Sequence, residues 1–263
     1  MTMPTSADVS AANCSLTAEY LSKITAHLHT ILQSNQATLP QAATLLAEQI
    51  KQDKLIHVAA SGGHSNLATQ EIFFRAGGLM HINPIIDEGT LLTNGALRSM
   101  AIERLPGFGK IVMDNNPVQA GDVMVLINAY GINASVIDIA LEAKKRGVTV
   151  IAVTSVAHAG ETPADHPARH PTGQNLCDVA DLVLDSHVQV GDAVMHIPGI
   201  TQQVAAMSTF ANAFILNALV TETVSLLAQQ GIDPPIWKSG NATGGDAWNA
   251  QFTGKFRHRI RLL

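Results

Sequence analysis

The stretch Gly121–Val153, GDVMVLINAYGINASVIDIALEAKKRGVTVIAV, decides the fold. Gly121-Asp122 leads into Val123-Met124-Val125-Leu126-Ile127, an unbroken apolar run of strand length. Asn128 to Asn133 is rich in turn residues. Val136, Ile137, Ala140, Leu141 and Ala143 then recur at helical spacing. Lys144, Lys145 and Arg146 suit the negative end of a helix dipole, and Gly147 suits its stop. Val148 to Val153 is a second buried strand. A crossover of this length joins parallel strands, so the stretch is a β-α-β unit.

The pattern extends in both directions. Upstream, Leu55 to Ala60 is a short apolar run closed by Ser61-Gly62-Gly63-His64-Ser65. A helix to about Ala76 follows and stops at Gly77-Gly78. Leu79 to Ile86 reads as a strand with Pro84 near its end, and Ala96 to Arg104 as a helix. Residues 87 to 118 otherwise give no clear pattern. Downstream, Val179 to Leu184 reads as a strand and Gly199 to Gln230 as a long apolar helical region, closed by Gly231 and Pro234-Pro235. Strands alternating with helices predict an α/β fold with a doubly wound sheet. In such sheets ligands bind beyond the carboxyl ends of the strands, near the topological switch point.

In front of this domain, Leu16, Tyr20, Ile24, Leu28 and Ile31 share a helical face, as do Leu45, Leu46 and Ile50 after Pro40. The reading is an N-terminal helical hairpin within residues 1–50, preceded by a disordered dozen residues. The main domain is expected over 51–232. A tail over 233–263 packs either on that domain or on a neighbouring subunit.

Composition narrows the function. The 263 residues are 46% hydrophobic, enough for one large core, with a net charge of -5. Only Lys255 to Arg261 is locally basic, and aromatics make up 4%, which argues against a nucleic-acid partner. The two cysteines, Cys14 and Cys177, have no disulfide-framework or metal-knuckle spacing and read as reduced thiols. The N-terminus has no signal-peptide pattern, and Phe210 to Leu227 is interrupted by Asn, Thr and Glu, so it reads as a buried helix and not a membrane span. The expected location is cytoplasmic.

Four small polar loops stand where chemistry is expected: Ser61 to Ser65, Asn128 to Asn133, Thr154-Ser155 and Ser208-Thr209. The first has two glycines that let a ligand approach the backbone, and a following helix whose unpaired N–H groups suit an anion. It has neither the spacing of a dinucleotide fingerprint nor the Lys of a P-loop.

On these loops the chain resembles the sugar isomerase (SIS) domain, and more narrowly an uncharacterised bacterial SIS group of similar length. The matching residues are Ser61-Gly62-Gly63-His64-Ser65, Glu71 to Gly78, Gly121-Asp122-Val123, Ala140 to Lys144, Ala152 to Ser155, Gly191-Asp192-Ala193, Ala213 to Asn217 and Gly244-Gly245-Asp246. The resemblance implies a five-stranded, flavodoxin-like parallel sheet that binds a phosphosugar through loop hydroxyls. Ser65 fills one such place and Ser155 lies near another. The family's Ser-x-Ser-Gly-x-Thr loop is replaced here by Asn128-Ala129-Tyr130-Gly131-Ile132-Asn133. Asn128, Tyr130 and Asn133 still offer donors, to a phosphate or to a sulfonate, carboxylate or neutral sugar. Ser61, Gly62, Gly63 and Ser208 complete the expected binding set.

An aldose–ketose isomerase working through an enediol needs a base beside the carbon that loses its proton, and ring opening needs a proton shuttle. Glu71, on the helix after the first loop, is the candidate base; its other reading is a surface pair with Arg75. His170 is the candidate acid and His64 the alternative, and either histidine also reads as structural. Asp192, as a turn stabiliser, and Glu222, as a solvent-facing residue, rank below them. His158, His166 and His170 lie in a loose spacing beside Asp165 that does not make a metal site, and no cofactor is implied. Two other readings keep the fold: a non-catalytic sugar-phosphate sensor, and an enzyme of sugar-phosphate deamination or ether cleavage. A homodimer or homotetramer is expected.

Overall fold

Alternate side chains of the central strands point to opposite faces, and both faces are apolar. Val123, Val125 and Ile127 enter one core, while Met124 and Leu126 enter the other. A strand buried on both sides must be covered by helices on both sides, and this chain supplies them. The computed structural model describes residues 6–263, with side chains from residue 15 onward.

The elements run α1 (Ser6–Ser34), α2 (Thr38–Lys51), β1 (Ile56–Ala60), α3 (Ser65–Ile72) and β2 (Ile82–Ile85). Two 3₁₀ turns, Glu88–Thr90 and Leu92–Asn94, lead to α4 (Ala96–Glu103) and α5 (Phe108–Asp114). Then come β3 (Val123–Ile127), α6 (Ala134–Lys145), β4 (Thr149–Thr154), α7 (Val156–Glu161), α8 (Leu176–Val179) and β5 (Leu182–Asp185). A two-stranded hairpin of β6 (Ala193–Met195) and β7 (Val204–Ala206) precedes α9 (Ser208–Gln229) and α10 (Gly245–Arg257).

The main sheet is five-stranded and parallel, in the order β2-β1-β3-β4-β5. Its doubly wound character is as expected. The order reverses between β1 and β3, so the loops after these two strands diverge and leave a crevice. Pro84 lies in β2, an edge strand, where its missing N–H costs no internal ladder bond. α2, α3 and α9 cover one face, and α5, α6 and α8 the other. Among the described residues, only α9 is long and apolar enough to cross a membrane; Ile215, Leu216 and Leu219 instead pack it into the first core.

Several boundaries differ from expectation. The helix after the first loop ends at Ile72, because Phe74 takes a positive φ of 48° and turns the chain. The strand expected from Val179 begins at Leu182, because Asn175 N donates to the Asp178 carboxylate and caps α8 first. Residues 199–207 are not helical. Asp192 accepts from Met207 N and Ser208 N, so α9 starts only at Ser208. The disordered start is expected over residues 1–12; residues 1–5 lie outside the described residues, and residues 6–12 belong to α1.

The tail packs on its own chain. Gly77 N donates to Trp237 O and Trp237 N donates to Gly78 O, zipping the tail to the turn before β2. Trp237, Phe256 and Ile260 then bury against Met80.

The closest helix contact has a direct test. α5 meets α6 at Gly109, where an added Cβ would collide with Ser135 O and stand 2.6 Å from Asp138 Cβ and 2.7 Å from Ile139 N. The obstacle is mostly helix backbone, so it cannot swing aside. Gly109→Ala is expected to lower stability by about 1–3 kcal/mol, the usual cost of overpacking. The denaturant midpoint relative to wild type checks this, and an unchanged midpoint would disprove it.

Candidate active site

The crevice at the switch point holds a cavity of about 220 Å³. One wall is the loop after β1. Gly62, Gly63, His64 and Ser65 line it, and Gly63, His64 and Ser65 direct backbone N–H groups that find no acceptor among the described residues. Ser65 opens α3, an eight-residue helix with no acidic residue in its first turn, so the positive end of the dipole is uncompensated. The opposite wall is the loop after β3. Asn128 turns its carboxamide inward on that loop, accepting from Tyr130 N at 3.2 Å and Gly131 N at 2.7 Å. Tyr130 stacks on His158 with ring centroids 4.1 Å apart.

The roof comes from residues 88–103, the region least legible in the sequence. Asn66 Nδ2 donates to Thr90 Oγ1 at 2.8 Å, and Ser99 Oγ donates to Thr90 O at 2.7 Å. These buried bonds fasten the segment over α3. It lowers Leu92, Met100 and Glu103 into the cavity. The two glycines of the first loop admit this roof: a Cβ on Gly63 would collide with Leu92 Cδ2, and one on Gly62 with Glu103 Oε2.

Glu103 is the most perturbed group in the cavity. Burial lifts its carboxyl to about 7, with Arg104 opposing the shift. Asn133 Nδ2 donates to Glu103 Oε1 at 3.3 Å. Burial also raises the Tyr130 phenol, with Asp192 and Glu103 adding to the effect, so Tyr130 stays protonated. The fourth side is Asp192 and Ser208, where Ser208 Oγ donates to Asp192 Oδ2 at 2.6 Å. A carboxyl poised near neutrality, a phenolic donor and a bank of free N–H groups meet in one crevice. That set can move a proton and hold an anion.

A SIS domain model matches residues 19–155, just over half of the chain. The UPF0309 protein of Geobacillus kaustophilus is 36% identical over 245 residues, covering 93% of this chain and 96% of the relative. The UPF0309 protein of Halalkalibacterium halodurans is also 36% identical, over 244 residues, with the same coverage. The chain belongs to the SIS-domain family, among its UPF0309 members. Among solved structures, the phosphoheptose isomerase of Neisseria gonorrhoeae aligns with a TM-score of 0.50 at 18% identity, covering 82% of this chain and 99% of that one. This likeness extends to the fold.

In this SIS domain, eight of the residues expected from sequence share the cavity: Gly62, Gly63, His64, Ser65, Asn128, Tyr130, Asn133 and Ser208. Four do not. Ser61 is buried behind the loop, its hydroxyl bonded to Ser135 Oγ on α6. Ser155 is fully buried and already committed: its hydroxyl donates to Val188 O at 2.7 Å and accepts from His158 N to cap α7. Glu71 projects from α3 toward α9, pairing with Arg75 at 3.3 Å and accepting from Asn217 Nδ2 at 3.4 Å. Its surface-pair reading is the one that holds. His170 lies outside the cavity, with Nε2 3.0 Å from Asp138 Oδ1 and Nδ1 bonded to Thr172 Oγ1 at 2.8 Å. That makes it a structural histidine pinning its loop to α6. Asp192 joins the cavity as well as capping α9, and Glu222 is exposed.

Glu103 was not among the expected residues. The available signal was slight: it is the only acidic residue in the expected helix Ala96 to Arg104. Nothing local says that this helix folds over the first loop.

Because Gly62 faces the Glu103 carboxyl, Gly62→Ala should push that group out of place. The Cβ meets the tip of a flexible side chain, which displaces the site, while the φ of 157° at Gly62 also strains the backbone for any residue with a Cβ. The expected result is at least about a hundredfold loss of turnover, the scale set by misplacing a reacting group by an ångström, with a folded protein whose melting temperature falls modestly from the backbone strain. Wild-type turnover would exclude this contact from function.

Proposed function

We propose that this chain is an aldose–ketose isomerase acting on a phosphorylated or otherwise anionic sugar, with Glu103 as the base. The observation that carries this reading is the Glu103 carboxyl, held near neutrality by burial and facing the same cavity as the free N–H groups of Gly63, His64 and Ser65. An efficient general base has a pKa close to the working pH, and an ordinary glutamate, with a pKa of about 4.3, is too weakly basic.

The residues divide the work. The N–H groups at the start of α3 hold the anionic group and fix the sugar's register. Asn133 orients Glu103 through its carboxamide. Glu103 takes the proton from the carbon next to the carbonyl, giving an enediolate; the hydroxyl proton passes to the former carbonyl oxygen, and Glu103 returns its proton to the former carbonyl carbon. Tyr130, kept protonated, donates a hydrogen bond to the oxygen that gains negative charge. His64, on the cavity rim, serves ring opening.

The test is solvent deuterium incorporation into a panel of aldose and ketose phosphates, followed by NMR. Exchange at the carbon next to the carbonyl, retained in Glu71→Gln and lost in Glu103→Gln, is the expected result. Binding without exchange across the panel would replace the enzyme by a sugar-phosphate-binding module.

A further inference from the structure

A second cavity, of about 290 Å³, lies behind the first and shares Glu103, Tyr130 and Asn133 with it as a common wall. Its far side is Ile132, Ala168 and Val190, with His158 and His166 beside them. Arg104 also lines it.

Arg104 is an unusual occupant. Its side chain forms no ion pair and no hydrogen bond among the described residues, and its Nε is buried without a partner. A guanidinium carries five N–H donors and cannot shed its charge, so leaving it unpaired in a partly enclosed site is costly. Its planar fork matches a carboxylate or a phosphate in two parallel hydrogen bonds. The only acidic side chain lining this cavity is Glu103, which makes no salt bridge with it and is itself held close to neutral. His166 adds a further donor: its Nδ1 accepts from Ala168 N at 3.2 Å, which leaves the proton on Nε2. The cavity has donors and cationic charge, with Ile132, Pro163, Ala168 and Val190 as apolar wall.

We propose that this second cavity binds an acidic group of the substrate, a carboxylate or a phosphate, through Arg104. The inference rests on the reading of the first cavity as the sugar site. The substrate then carries two anionic groups, one held by the N–H groups of the first loop and one by Arg104, with the reacting carbons between them beside Glu103. Sugar-acid phosphates and sugar bisphosphates fit this description, and a sugar monophosphate satisfies only one end.

The experiment is calorimetric titration of the full chain with three probes: glucose 6-phosphate, 6-phosphogluconate and fructose 1,6-bisphosphate. At least one probe with two anionic groups should bind about tenfold or more tightly than glucose 6-phosphate, the scale of a hydrogen bond to a charged group. The carboxylate and phosphate arms then tell the two sources apart. Arg104→Gln should abolish that margin and leave glucose 6-phosphate binding as it was, and Arg104→Lys should keep part of it. The melting temperature of ligand-free Arg104→Gln should be no lower than that of wild type, because the guanidinium holds nothing in the empty protein and its removal relieves an unpaired buried donor. No margin in wild type, a margin that survives in Arg104→Gln, or a lowered ligand-free melting temperature would each overturn the assignment. Binding separates this from the isomerase reading: loss of deuterium exchange leaves the Arg104 margin untouched, and the reverse also holds.

Discussion

Glu103→Gln should reduce isomerisation by about a hundredfold to ten-thousandfold, the range supplied by a positioned general base. Gln keeps the shape and the contact with Asn133 and removes only the ability to take a proton, so substrate binding should change little and the loss should fall on kcat. The pH profile makes the prediction specific. The base works ionised, and the Glu103 carboxyl is lifted to about 7 by burial. Wild-type kcat/KM should therefore climb as pH rises from 5 through about 7 and level off above it. The residual rate of Glu103→Gln should lack this limb. Stopped-flow or NMR progress curves across that interval check both points. A Glu103→Gln enzyme that keeps the limb would move the base elsewhere.

The roof explains why the fold was more legible than the site. Val123 to Val153 announces its β-α-β unit through local features: an apolar run, a helical stripe, basic residues at the helix end and a glycine stop. Each of these is a short-range preference that agrees with its neighbours. Seven of the eight cavity residues found from sequence lie on the loops after β1 and β3 or at the start of α3, so topology places them once the strands are known; Ser208 comes from the start of α9. Glu103 lies on a short helix whose position depends on Asn66 reaching Thr90, 24 positions away, and on two glycines being small enough to admit Leu92 and Glu103. No periodicity encodes such contacts. The residues that fall outside the cavity have the same root. Ser155 is a polar residue after a strand, as a ligand-binding serine would be, but its hydroxyl is consumed by Val188 O and the α7 cap. Glu71 is close in sequence to the first loop yet on the side of α3 that meets α9. Sequence position locates a residue on an element; which side of that element is buried, and against what, is settled by tertiary packing.

The same burial that tunes Glu103 costs stability, and this gives the second large effect. The folded-state carboxyl is raised to about 7, against about 4.3 for an unfolded chain. Between these values the native state holds a proton that the unfolded state has released, so stability falls as pH rises. The contribution is fully present below about 4.3 and fully lost above 7. At 1.36 kcal/mol per pH unit the loss is at most about 4 kcal/mol, reduced in so far as water reaches the partly exposed carboxyl. Gln carries no charge at any pH and escapes this loss. The stability of Glu103→Gln relative to wild type should therefore grow by up to about 4 kcal/mol between pH 4 and pH 8, with the gain concentrated between pH 5 and 7. Urea denaturation of both proteins at four or five pH values measures it, the difference in midpoints being the signal. Other titrating groups, such as Asp53 with its Lys255 and Arg259 partners, are common to both proteins and cancel in that difference. A variant that loses turnover while gaining stability above neutral pH is what a group kept in place for chemistry should produce, because it is strained by its surroundings in the ionised form that catalysis needs. A difference that stays flat from pH 4 to 8 would mean that the carboxyl titrates normally, and Glu103 would then be too weakly basic at neutral pH for the role assigned to it.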